Sequence, residues 1–342
     1  MRIGITYNLK DEISPGRIMN NESSEEFDSP ATIKAIGDVF EKHGYTAIGL
    51  GGDLDVIEKI KRENVEFVFN LAEGLHGRNR ESHIPSILEM MNIPYSGSDV
   101  LTLGLTLDKI ITKKISAQAG IPVPRYIVAH TVSDTRDVEK KLEYPLITKP
   151  AWEGSSKGIY DNSKVYNKAD LEENVKFLIN AFPGQPVLVE EYIEGREVTV
   201  GVIGNTHPEI LGVMEIASKV NPGGDVFYSL ETKRDWKTLI DYKMPPELNR
   251  LLLNHLTYRA LSAYKEFNCR DIARIDFRVS EKKNRLFMLE VNPLPGLSPE
   301  YGDLVIMAKM RGISYEDLIM SIFKHALKRY RANKVIFNHE KV

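Results

Sequence analysis

Two stretches late in the chain, Ala273–Val279 and Leu286–Asn292, alternate apolar and polar side chains with period two across a polar turn from Ser280 to Arg285. That period belongs to half-buried strands and is incompatible with a helix over the same residues. It sets Arg274, Asp276 and Arg278 on one face of the first arm, and Met288, Glu290 and Asn292 on one face of the second. Ile275, Phe277, Val279, Leu289 and Val291 fill the opposite face. A hairpin symmetric about Lys283 brings Asp276 opposite Glu290 and Arg274 opposite Asn292. Carboxylates facing each other across a ladder repel unless a cation joins them. Oxygen ligands with an amide alongside suit Mg²⁺, which completes its shell with water and phosphate oxygens. A solvated face whose arginines neutralise the acids satisfies the same pattern, so the hairpin alone leaves both readings open.

A chain of 342 residues has room for two or three domains with cores of their own. Its formal net charge of -3 gives no general attraction to nucleic acid or anionic membrane, so anion binding must be local. Cys269 is the only cysteine, which excludes an intrachain disulfide or a cysteine zinc cage and points to a reducing, cytoplasmic setting. No apolar run reaches membrane-spanning length, and Met1–Tyr7 reads as a strand rather than a signal peptide.

The first third of the chain alternates strand and helix. Strands are expected at Ile3–Tyr7, Tyr45–Leu50 and Phe67–Leu71, and helices from about Pro30 to His43 and Asp53 to Glu63. This order predicts a parallel sheet covered by helices. Between the first strand and helix runs an acidic loop, Asp11–Asp28, with Glu22, Glu25, Glu26 and Asp28; it is either an insertion or a functional loop. After the third strand comes Ala72–Glu81, a glycine-punctuated loop at the sheet edge where ligands of open α/β sheets gather. His76 and His83 lack the spacing of a helical zinc pair and suit structural or substrate-positioning roles. A helix over Ile84–Met91 precedes a proline and glycine break at Ile93–Ser98.

Lys109 falls in a helical segment that is expected to run to Gly120, where a lysine is by default a surface charge. Tyr144–Pro150 reads as a strand carrying Lys149, followed by Trp152–Ile159, whose small residues form either an ordinary turn or a backbone cradle for phosphate. Pro186–Val200 is a strand, a cluster of acids and a second strand, fit to wall a flat base or to act as a solvated linker. A glycine turn at Gly223–Gly224 precedes Lys233 and Arg234, which make a local positive site. Helices are expected over Glu247–Phe267, opened by Pro245 and Pro246, and from Tyr315 to about Tyr330, before a polar tail.

Together these segments resemble the ATP-grasp superfamily, and most closely the D-alanine–D-alanine ligase family. The resemblance rests on His76-Gly77 with Glu81, Ile93–Ser98, Leu107-Asp108-Lys109, Lys149-Pro150 with Glu153–Ser156, Glu190–Glu197, Ala273–Phe277, and Glu290–Pro293 with Pro295-Gly296. It implies a three-domain α/β (α+β) fold, divided here at 1–97, 98–186 and 187–342, with ATP between the last two domains. It further implies that Lys109 and Lys149 contact phosphates and that the loop with Glu153, Ser155 and Ser156 covers them. Glu190, Glu191 and the backbone at Ile193 would take adenine, and Glu197 the ribose. Asp276, Glu290 and Asn292 would hold Mg²⁺, for which Mn²⁺ can substitute. Arg274, Lys233, Ser155 and Glu25 are the implied catalytic and substrate-positioning groups. The implied activity is ligation of small amino-acid-like substrates through an acyl phosphate, as in cell-wall peptidoglycan synthesis, with room for a homodimer and no role for nucleic acid or membrane.

The departures sit on the substrate side. The family's amino-terminal glycine-rich motif, whose glutamate holds the first substrate's ammonium, is absent; Glu25 is the best positional substitute, with Asp28 behind it. Arg234 stands where a tyrosine is expected beside Lys233, and Leu297–Tyr301 replaces the segment that supplies a hydroxyl to the second substrate. The sequence therefore points to a ligase whose product is D-alanyl-D-alanine, or the amide of another amino acid pair. A nucleotide-binding module without catalysis is the alternative of a different class.

Overall fold

The structure, a computed structural model, describes residues 1–10, 25–220, 227 and 229–332. Glu22, most of the acidic loop, the Gly223–Gly224 turn and the polar tail lie outside the described residues. The first unit runs β1 (Arg2–Thr6), α1 (Pro30–Lys42), β2 (Thr46–Gly49), α2 (Asp55–Arg62), β3 (Phe67–Asn70) and α3 (His83–Met90). Its sheet is parallel, in the order β2-β1-β3. Ser29 starts α1 by accepting the Thr32 N–H, and Pro30 follows where a missing N–H costs nothing. Phe40 on the buried stripe of α1 packs edge-on against Phe69 and Phe323, and burying such a ring contributes about 2–3 kcal/mol.

The helix expected to continue to Gly120 is two helices, α4 (Val100–Leu107) and α5 (Lys109–Gln118). Asp108 breaks them apart: its backbone is extended, and its Oδ1 accepts the N–H of Ile110 and Ile111, each at 2.9 Å. A side chain that caps a helix start so well competes with continuing the previous helix. The break leaves Lys109 as the first residue of α5 instead of a point on a helical surface.

The second unit comprises β4 (Tyr126–Ala129), β5 (Leu146–Pro150), β6 (Lys164–Val165), α6 (Lys168–Ala181) and β7 (Val187–Glu191), with an antiparallel sheet in the order β4-β7-β5-β6. β7 is bonded between β4 and β5 although it lies past residue 186. We propose the acid turn after Glu191 as the division between units, since it leaves both sheets whole.

The third unit adds β8 (Arg196–Ile203), β9 (Glu209–Ser218), α7 (Leu230–Arg234), α8 (Trp236–Leu239), β10 (Ile240–Lys243), α9 (Arg250–Glu266), β11 (Ile272–Ser280), β12 (Arg285–Asn292), α10 (Asp303–Met310) and α11 (Tyr315–Ala332). Its sheet has the order β10-β9-β8-β11-β12. α9 begins at Arg250, capped by Asn249, a turn later than the prolines suggest. It packs Leu252, Leu256 and Ala260 against Val198, Val200, Ile275 and Phe277. α10 and α11 join the first unit in one core that includes Ile3, Ile5, Phe40, Leu304, Met307 and Phe323. Among the described residues no helix is long and apolar enough to cross a membrane.

The hairpin pairs Arg274 with Asn292 and Asp276 with Glu290, as its alternation predicts. The simple symmetry stops there, because the register shifts so that Phe277 faces Met288. A bulge resets the inside–outside alternation. Met288 therefore joins the core while Leu289 lines the cleft, the reverse of the faces read from the sequence.

Candidate active site

The polar face of β11 and β12 forms one wall of a cleft of about 490 Å³ that residues of all three units line. Asp276 accepts hydrogen bonds from Thr199 Oγ1 at 2.7 Å, Arg274 Nη2 at 2.9 Å and Asn292 Nδ2 at 3.0 Å. Burial raises its pKa, with Arg274 opposing and Glu290 adding to the rise. Glu290 stands 3.1 Å from Lys109 Nζ. Burial works against its charge too, yet Lys109 and Arg274 outweigh it and hold the carboxyl well below the usual range. Arg274 also donates from Nη1 to Asp303 at 2.9 Å.

Asn292 Nδ2 lies 3.4 Å from Glu290, so the amide touches both acids. Among the described residues no three His, Cys, Asp or Glu gather as a metal cage. The donor set on offer is two carboxylates and an amide, which fits a hard cation that draws the rest of its shell from phosphate and water.

The second wall is the sheet edge around β5 and β7. Glu190, fully buried, lies between Lys149, 2.5 Å away, and Lys113, which pairs with its other oxygen. Burial pushes the Lys113 ammonium down to about 8 against the pull of Glu190, while the two lysines hold Glu190 below its ordinary value. Lys113 was not among the sequence candidates, although its spacing of four from Lys109 puts both on one helix face. Glu191 lines the cleft but pairs with Arg125. The carbonyl of Ile193 accepts Arg278 Nε at 3.1 Å, and Arg278 reaches Glu197 at 3.3 Å and the Tyr192 hydroxyl at 2.6 Å. Burial raises Glu197 to about 7, with Arg278 opposing. Arg278 thus ties the acid turn to the hairpin, a role its place beside Asp276 could have signalled. Apolar surface between these walls comes from Ile147, Ile193 and Leu289.

Over the cleft lies the Glu153–Gly158 loop, with Ser155 and Ser156 in left-handed conformations at φ 52° and 60°. Lys109 Nζ donates to the Glu153 carbonyl at 2.5 Å, and the Glu153 carboxylate takes Gln185 at 2.7 Å and Lys157 at 2.6 Å. The first unit grips this loop through Glu26. Its carboxylate accepts from Arg80 Nη2 at 3.0 and 3.1 Å, from the Gly154 N–H at 2.8 Å and from Lys157 Nζ at 3.0 Å. Burial opposes the charge, but Arg80 and Lys157 outweigh it and bring Glu26 down to about 2. Glu26, Arg80 and Lys157 lie in three stretches that the sequence singles out, but only three-dimensional proximity shows that they meet. Glu25, one residue earlier, pairs instead with Arg234, whose Nε and Nη2 lie 3.0 and 2.5 Å from it. Lys233 is lowered by burial and then by Arg274, with Asp303 opposing.

Lys109 at the start of α5 and Lys149 on β5, facing a pair of carboxylates on the hairpin, suit gripping a nucleoside polyphosphate between the two antiparallel sheets, the arrangement of an ATP-grasp ligase. Residues 115–324 match the family model of the D-ala D-ala ligase C-terminus. The D-alanine–D-alanine ligase of Carboxydothermus hydrogenoformans is 35% identical over 321 residues, which cover 92% of this chain and 98% of that one. That of Desulforudis audaxviator is 34% identical over 316 residues, with the same 92% and 98% coverage. In solved structures, the Bacillus anthracis D-alanine–D-alanine ligase complexed with ATP superposes with a TM-score of 0.74 at 24% identity, over 97% of this chain and 99% of that one. The VanG D-Ala:D-Ser ligase of Enterococcus faecalis does so at 0.72 and 22%, over 95% and 99%. The chain belongs to the D-alanine–D-alanine ligase family and is an ATP-dependent ligase.

Proposed function

We propose that the chain is a Mg²⁺-dependent carboxylate–amine ligase that joins two amino acids through an acyl phosphate, with D-alanyl-D-alanine as the leading product and a cell-wall peptide precursor as its use. The observation that carries this reading is the meeting of Asp276 and Glu290 beside Lys109 and Arg274 in a cleft that also holds Lys149. The family relationship supports the same chemistry. Asp276, Glu290 and Asn292 would hold Mg²⁺, which supplies charge neutralisation for the transferring phosphoryl group.

A donor carboxylate oxygen forms a bond to the γ-phosphorus as the bond to ADP breaks. The acceptor amine then adds to the acyl carbon, and phosphate departs. Lys109 and Lys149 hold phosphate oxygens, and the Glu153–Gly158 loop excludes water. Arg274, oriented by Asp276 and Asp303, meets charge as it develops on the phosphoryl group and on the tetrahedral oxygen. Lys233 adds positive charge on the acceptor side. The buried Cys269 agrees with work in a reducing cytoplasm.

A different amino acid pair is the second reading, favoured by the Glu25–Arg234 pair across the substrate side of the cleft. Phosphate release from ATP over a panel of D- and L-amino acids, singly and in pairs, tests both. Release with D-alanine alone supports the leading product, and release with another pair the second. ATP binding without release for any pair refutes ligation and leaves a nucleotide-binding module.

A further inference from the structure

Lys113, on the second turn of α5, has no part in the scheme above. It is wholly buried and does not line the cleft, so it cannot touch a nucleotide held there. Its ammonium pairs with one oxygen of Glu190, and Lys149 holds the other at 2.5 Å. The Tyr126 ring of β4 stands 6.0 Å from the Lys113 nitrogen, while Lys149 and Lys109 repel it.

One buried carboxylate needs one counter-ion. Keeping a second ammonium beside it costs desolvation and like-charge repulsion, so the arrangement calls for a use. Of the two lysines, only Lys149 also lines the cleft, where the scheme above has it turn to phosphate oxygens. With Lys149 as its sole partner, Glu190 would then be stranded as an unpaired charge in the interior, and nucleotide binding would have to offset that loss. With Lys113 in place the acid keeps a partner throughout. The group of three carries one surplus positive charge, and Lys149 is the member that can present it to the cleft.

We infer that Lys113 is a positioning residue, the standing counter-ion of Glu190 that frees Lys149 to leave this acid for a nucleotide phosphate. The inference rests on the reading that Lys149 holds phosphate oxygens.

The pairing lasts only while Lys113 is protonated. Burial brings its ammonium down to about 8, with Glu190 opposing, so above that pH Glu190 has Lys149 alone and affinity for phosphate should fall.

The test measures binding to the full chain by titration calorimetry, from pH 7 to pH 9, of ATP with Mg²⁺ and of adenosine, which has the same base and ribose without phosphate. The parent is expected to lose about 10-fold in ATP affinity over this range and to keep its adenosine affinity within about twofold. Lys113→Met should bind ATP about 10- to 100-fold more weakly at pH 7, lose the fall with pH, and bind adenosine within about twofold of the parent. The inference is overturned if Lys113→Met binds ATP as the parent does, or if adenosine affinity drops in step with ATP, the mark of a merely structural role. Should Lys113→Met fail to fold, the parent decides, and an ATP affinity that is constant from pH 7 to pH 9 overturns the inference. Lys149→Met with parental ATP affinity strikes the phosphate reading of Lys149 instead.

Discussion

Replacing Glu26 by glutamine keeps the side chain's size and removes the charge on which Arg80 and Lys157 converge. The carboxylate is held at about 2 against an ordinary 4.5. At about 1.4 kcal/mol per unit, that difference corresponds to about 3 kcal/mol of folding stability, within the range for breaking a buried ion pair. With an unfolding entropy of about 2 cal/mol/K per residue, the expected fall in melting temperature is about 4 °C. Because the native carboxyl lies below its unfolded value, the contribution is fully present above pH ~4.5 and is lost as pH falls toward ~2. The gap between parent and variant should therefore be widest at neutral pH and narrow on acidification. The same change releases the Gly154 N–H and Lys157 from the first unit, so the KM for ATP should rise and the Glu153–Gly158 segment should become open to protease. Thermal scans at pH 7 and pH 4, with ATP kinetics beside them, measure all of this. A variant that melts with the parent at pH 7 and keeps its KM for ATP would refute the reasoning.

Asp276→Ala and Glu290→Ala should each lower turnover by about 10³-fold or more through loss of the cation between them; near-parental rates at saturating Mg²⁺ would overturn that assignment. Arg234→Tyr should change acceptor preference more than ATP affinity, read as product profile against the KM for ATP, and an unchanged profile would count against a selective role for Arg234.

The hairpin and the alternating first third were legible because side-chain period reports directly on which face is buried. The opposition of Asp276 and Glu290 is that of a hairpin centred on Lys283, and the bulge is what restores it beyond Phe277. The bulge that exchanges Met288 and Leu289 was not legible, since one inserted residue leaves no mark in an apolar run. Asp108 shows the same limit in a helix: its cap is written in the sequence, but the apolar residues on both sides read as one continuous helix. On the substrate side, Glu26, Arg80 and Lys157 lie 54 and 77 residues apart and meet only through the packing of the first unit on the loop. Glu25 and Glu26 differ by one position and point to different partners, which composition does not separate.

The core shared by α1, β1, α10 and α11 joins the chain's first unit and its last helices into one chassis. Two chain segments, at 119–125 and 191–195, lead into and out of the β4–β7 body. Glu26, reaching across from that chassis to the Gly154 N–H and Lys157, anchors the loop over the cleft to the two ends of the chain.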